Sequence, residues 1–135
     1  SNTEGALHLL VEFMPLVRRA ANGAILVVGS GYGLAPATRA PVYSASKAAL
    51  HSLSKSLRRQ LASLGISVTE LLPPVVDTPS VAHRQVAKLS PELVADQAIR
   101  GALARAREVR PGAVRFLPWL LRLVPGLAER IVART

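Results

Sequence analysis

Ala24-Ile25-Leu26-Val27-Val28-Gly29-Ser30 is the stretch that decides the fold of this chain. Five consecutive apolar residues, rich in β-branched side chains, cannot alternate between core and solvent. The run therefore predicts a strand buried on both faces, as in a parallel sheet. Gly29 and Ser30 end it with small residues at the carboxyl end of such a strand, the place where open α/β sheets hold their ligands. A loop follows through Pro41.

On either side of that strand the period changes. Residues 6–21 carry Leu7, Leu10, Val11, Met14 and Val17 at helical spacing, and Asn22-Gly23 supplies a stop. Residues 42–64 are again helical and end at Gly65, a C-terminal cap. Ile66-Ser67-Val68-Thr69-Glu70-Leu71-Leu72 is a second strand, halted by Pro73-Pro74. Helix, strand, helix, strand with short connections implies parallel strands, hence an α/β sheet covered on both faces. Two strands cannot complete such a sheet, so the reading expects an N-terminal half, missing ahead of Ser1, to supply the rest.

Further on, Thr78-Pro79 and Ser90-Pro91 each set a capping hydroxyl before a proline and predict two helix starts, the second helix running to about Arg107. Glu108-Val109-Arg110 is a short terminal strand before Pro111-Gly112. Residues 113–135 put Leu117, Leu120, Leu121, Val124, Leu127 and Ile131 on one face and Arg115, Arg122 and Glu129 on another. Pro118, Pro125, Gly126 and several charges exclude a membrane-spanning helix there. The segment is expected to pack on the body of the protein or a partner subunit, with peripheral membrane contact as the alternative, because arginine beside Trp119 is an interfacial signature.

Composition bounds the function. A chain of 135 residues, half of them hydrophobic, holds one domain or part of one. The absence of cysteine removes disulfides, thiolate zinc sites and thiol nucleophiles, and suits a reducing cytoplasmic setting. A net charge of +9 raises the question of nucleic acid. The arginines are dispersed singly or in pairs (Arg18-Arg19, Arg58-Arg59) with no interleaved aromatic platform, so they read as solvated helix faces. A nucleic-acid binder would instead bind generic duplex with steep salt dependence.

The chemistry-bearing residues lie around the first strand and second helix. Tyr43 and Lys47 are four apart near a helix start, so their side chains share a face. A tyrosine phenol ordinarily titrates near ~10, and a lysine cation beside it favours the phenolate, making it a usable general acid/base. Alone, Tyr-x-x-x-Lys occurs in many helices by chance. Ser30, thirteen residues earlier, adds a hydroxyl that can donate to a carbonyl oxygen gaining negative charge.

Four ordered segments resemble the short-chain dehydrogenase/reductase family over residues 2–78. Asn2-Thr3-Glu4-Gly5 resembles its Asn-x-x-Gly helix start, Ile25-Leu26-Val27-Val28-Gly29-Ser30 its serine strand, and Tyr43-Ser44-Ala45-Ser46-Lys47-Ala48-Ala49-Leu50 its signature helix. Pro73-Pro74-Val75-Val76-Asp77-Thr78 resembles the Pro-Gly-x-Val-x-Thr loop after the next strand. The resemblance implies the C-terminal half of a Rossmann-like doubly wound sheet in residues 1–112, with an amphipathic helical extension in residues 113–135. It implies NAD or NADP as cofactor and interconversion of a carbonyl and a secondary alcohol by hydride transfer.

Under it, Tyr43 would be the general acid/base, Lys47 would bind the nicotinamide ribose and tune Tyr43, Ser30 would orient the carbonyl, and Asn2 would complete a proton relay. Pro73, Val76 and Thr78 would line the nicotinamide. Pro74 departs from the family's glycine, removing an N–H and fixing φ. The family's glycine-rich phosphate loop has no counterpart in the chain, so the chain alone is expected to be inactive.

Other residues carry weaker expectations. Tyr32 lies close to Ser30 but has Pro36 where a lysine would follow, and is assigned to the substrate wall or loop packing. His83 falls where the family often has a substrate lid, whereas His8 and His51 are read as packing or surface residues. No metal site is expected. Ala45, Ala48, Ala49 and Ser52 make one helix face smooth, the pattern through which that family forms homodimers or homotetramers. A small, apolar carbonyl or alcohol is the expected substrate. The competing class is a non-catalytic scaffold with the same fold that docks a partner or a membrane.

Overall fold

A computed structural model describes residues 2–74 and 89–134. The first helix, α1 (Asn2–Arg19), carries Glu4 in its first turn and Arg18 and Arg19 in its last, complementing the helix dipole at both ends. β1 (Ala24–Val28) occupies the apolar run. Next come a single 3-10 turn (Gly31–Gly33), α2 (Pro41–Leu61), and a second 3-10 turn (Ala62–Leu64) closed by Gly65 at φ 69°. Only a glycine adopts that left-handed cap without strain. β2 (Ser67–Leu71), α3 (Pro91–Leu103) and β3 (Glu108–Val109) follow. A 3-10 turn (Gly112–Phe116) then leads into α4 (Leu117–Leu123) and α5 (Pro125–Ala133).

Among the described residues β1, β2 and β3 pair in parallel, in the order β1-β2-β3. Ala24 to Val28 stand opposite Ser67 to Leu71, and Glu70 and Leu71 stand opposite Glu108 and Val109. Leu57, Leu61, Ile66 and Val68 form a core on one face, joined by Leu10, Met14 and Val17 of α1 and by Ile25 and Val27. Leu71, Val94 and Ala98 pack α3 on the other face. The α/β class and its parallel sheet are as expected from the sequence.

Three details differ. β1 is not buried on both faces: Ile25 and Val27 turn to the core, but Leu26 and Val28 are exposed on a strand with a single sheet neighbour among the described residues. α3 starts at the Ser90 cap, whose Oγ accepts from Leu93 N at 3.2 Å, yet ends at Leu103, short of Arg107. The chain must turn there, through Arg105 at φ 55°, so that Arg107 and Val109 carbonyls accept from Glu70 N and Leu72 N. Residues 113–135 form two helices and a 3-10 turn, because Val124 precedes a proline and leaves the helical region at φ −141°, ψ 64°. Leu117 is consequently buried, whereas Leu127 and Ile131 face solvent. The helix expected at Thr78-Pro79 lies outside the described residues.

Candidate active site

The site forms where β1 ends against the first turns of α2. Ser30 caps the 3-10 turn after β1, its Oγ accepting from Tyr32 N at 3.2 Å, and is nearly buried. Gly33 allows that turn to sit directly on α2: a Cβ there would stand 2.8 Å from the carbonyl oxygen of Lys47. Ala35 and Ala37 bury the loop further, and Ser44 Oγ accepts from Ala37 N at 3.1 Å while donating to the Ala40 carbonyl at 2.8 Å. The loop is therefore pinned to the first turn of α2 by a side chain that also bonds its own helix.

Lys47 is buried and donates from Nζ to the Val28 carbonyl at 2.8 Å. The same Nζ lies 5.6 Å from the centroid of the Tyr43 ring, within cation–π range. Burial lowers the Lys47 ammonium from its usual 10.5, because desolvation penalises the charged form. Tyr43 remains 40% exposed and meets Tyr32 edge-on, ring centroids 6.3 Å apart and planes at 84°. Ser30, Tyr32, Tyr43 and Lys47 are thus gathered in one place. Pro73 borders the same loop, its carbonyl accepting from Gly31 N at 3.3 Å. Thr3 Oγ1 donates to the Ser46 carbonyl at 3.1 Å, which holds the first turn of α1, where Asn2 lies, against the turn between Tyr43 and Lys47. Val76, Thr78 and His83 lie outside the described residues.

One residue, Glu70, and its pairing with His51 escaped the sequence reading, which assigned His51 to packing or the surface. Glu70 sits in the middle of the sheet with no exposure, and His51, one turn after Lys47, contacts it with Nδ1 2.8 Å from Oε2. Glu70 Oε1 has no hydrogen-bond partner among the described residues and packs where Gly29 lacks a Cβ; a Cβ would stand 2.7 Å from it. The one signal available was a carboxylate inside a strand, which requires a partner when buried. His51, Glu70 and Glu108 also bring possible ligand atoms within 4.8 Å of one another. Arg110 bonds Glu108 and His51 bonds Glu70, so each carboxylate has a donor from the protein itself.

The chain is similar to known proteins in sequence and in fold. A model of the short chain dehydrogenase family matches residues 1–88. An uncharacterized oxidoreductase of Staphylococcus epidermidis is 33% identical over 120 residues, covering 87% of this chain and 52% of the relative. A fatty acyl-CoA reductase of Acinetobacter baylyi is 35% identical over 112 residues, covering 80% of this chain and 38% of the relative. The crystal structure of a short chain dehydrogenase from Burkholderia cenocepacia in complex with NADP superposes with a TM-score of 0.82 at 25% identity, covering 99% of this chain and 56% of that one. The chain spans about half the length of the first of these curated relatives. With the serine strand, the tyrosine-lysine helix and the parallel sheet in place, the chain belongs to the short-chain dehydrogenase family.

Proposed function

We propose that the protein is an NAD(P)-dependent oxidoreductase that interconverts a carbonyl and a secondary alcohol, with Tyr43 as general acid/base. The observation that carries this reading is the buried Lys47 ammonium, fixed by the Val28 carbonyl and set over the Tyr43 ring. A cation held there stabilises negative charge on the Tyr43 oxygen as its proton moves to or from substrate. Ser30, nearly buried at the end of β1, positions the substrate oxygen by hydrogen bonding.

The residues present suit the nicotinamide-ribose end of such a cofactor. Lys47 offers an ammonium beside a partly exposed phenol, the donors a ribose diol requires, and Pro73 borders the same loop. Val76 and Thr78 are assigned to nicotinamide binding by the family resemblance, and Asn2 to the proton relay. Pro74, in place of glycine, gives the wall one fewer backbone donor. When bound, the cofactor supplies or takes up the hydride. Tyr32, edge-on to Tyr43, is assigned to the substrate wall, and His83 to substrate contact on the family resemblance alone.

Ala45, Ala48, Ala49 and Ser52 are exposed on α2, which supports a homodimer or homotetramer closed through that smooth face. The full-length protein carrying Tyr43→Phe provides the test. Turnover of a carbonyl panel should fall by about 10²–10⁴-fold with cofactor binding retained. Turnover within a few-fold of the parent would overturn the assignment.

A further inference from the structure

The C-terminal helices leave apolar side chains uncovered in a repeated pattern. Phe116, Trp119 and Leu123 are followed, eight residues on, by Val124, Leu127 and Ile131 at the same spacing, and all six are exposed. Trp119 is 65% and Leu123 72% exposed. Trp119 and Leu123 within α4, and Leu127 and Ile131 within α5, stand four apart, so each pair shares a helix face, while Phe116 and Val124 lie just ahead of the two helices. Arginine flanks both at the equivalent position, Arg122 in the first and Arg130 in the second. The opposite faces attach the helices to the body through Leu117 and Ala128, both buried.

We infer that this surface docks peripherally on an anionic lipid bilayer. Three features select that occupant. Residues 113–135 carry four arginines against one acid, Glu129, so two copies meeting through this face would juxtapose like charges. Arg115 lies over the Phe116 ring, 4.6 Å from its centroid, an arrangement that carries a cation on an aromatic platform. An exposed tryptophan with leucines beside arginines matches the headgroup boundary, where an amphipathic ring and a guanidinium are both satisfied. Among the described residues no helix is long and apolar enough to cross a membrane, so the contact is one of lying on the surface.

The docking face adjoins the candidate site. Val114, just ahead of α4, packs where Gly31 lacks a Cβ, and Thr38 N donates to the Ala133 carbonyl at 3.4 Å. The loop that follows Ser30 is therefore backed by the segment that would rest on lipid. The inference stands apart from the oxidoreductase reading, since its readout needs no turnover.

Trp119 is the chain's only tryptophan and gives a local probe. The full-length protein is mixed with vesicles of phosphatidylcholine alone or with equal phosphatidylglycerol, followed by co-sedimentation and tryptophan emission, with W119F identifying the signal. Anionic vesicles should sediment the protein and shift Trp119 emission to the blue. Binding should weaken by more than tenfold in L123S/L127S, and by about fivefold for each arginine changed in R122Q/R130Q. These side chains are exposed, so an unchanged melting temperature separates lost docking from lost folding. Equal sedimentation by both vesicle types, no sedimentation, or a blue shift that follows protein concentration without lipid would each overturn the inference, the last by identifying self-association.

Discussion

His51 Nδ1 stands 2.8 Å from Glu70 Oε2, joining the middle of the tyrosine-lysine helix to a fully buried carboxylate in the central strand. Removing the imidazole leaves that carboxylate without its side-chain partner in the core. His51→Leu is expected to cost about 3–5 kcal/mol, whereas Glu70→Gln, which keeps shape and an acceptor, should cost distinctly less. Urea denaturation compares the two. If His51→Leu proved as stable as the parent, the pairing would carry no stability.

Gly33 gives a second expectation. A Cβ there meets the Lys47 carbonyl oxygen and carbon at 2.8 and 2.9 Å, atoms that no rotamer change can move. Gly33→Ala should destabilise by about 1–3 kcal/mol and depress activity by separating the serine turn from α2. Gly5 is the control: it lies inside α1 with nothing within 4 Å of a built Cβ, so Gly5→Ala should stabilise by about 0.5–1 kcal/mol. Thermal melts of both variants test the contrast, and equal effects would refute it.

Ser44 Oγ both receives the Ala37 N–H and donates to the Ala40 carbonyl, and its residue is buried. Ser44→Ala leaves the Ala37 N–H unpaired in the interior, at a cost of about 1–3 kcal/mol. Hydrogen exchange at Ala37 should accelerate more than exchange in β2. Uniform acceleration across both would point to global destabilisation alone.

The lowered Lys47 ammonium sets a pH dependence. Its folded value lies below 10.5, so between the folded value and 10.5 the unfolded chain binds more protons than the folded one. Stability from this group therefore rises with pH through that window and is flat below it. Lys47→Met removes the titration, and the stability of the parent relative to this variant should climb as pH approaches 10.5. Paired denaturation curves across alkaline pH measure it; a difference that falls over the window would contradict burial as the cause.

What the sequence discloses here is what is local. The β1 bounds follow from an unbroken apolar run, the α3 start from Ser90-Pro91, and the gathering of Tyr43 and Lys47 from one turn of helix. The contact of His51 with Glu70 spans 19 residues and exists only because α2 is laid across β2, so no spacing rule announces it. The same holds for Gly33 against Lys47, where the informative atom is an absent Cβ. The partial exposure of β1 and the break at Val124 were hidden for different reasons. The first depends on which strands stand beside β1, the second on a single residue ahead of a proline.

Contact between the Gly33 turn and the Lys47 peptide has a mechanical consequence. Ser30 and Lys47 move as one block, because sliding one past the other would drive backbone into backbone. The spacing between hydroxyl and ammonium can then change only by rotation of the two side chains, which the bonds to Tyr32 N and to the Val28 carbonyl oppose.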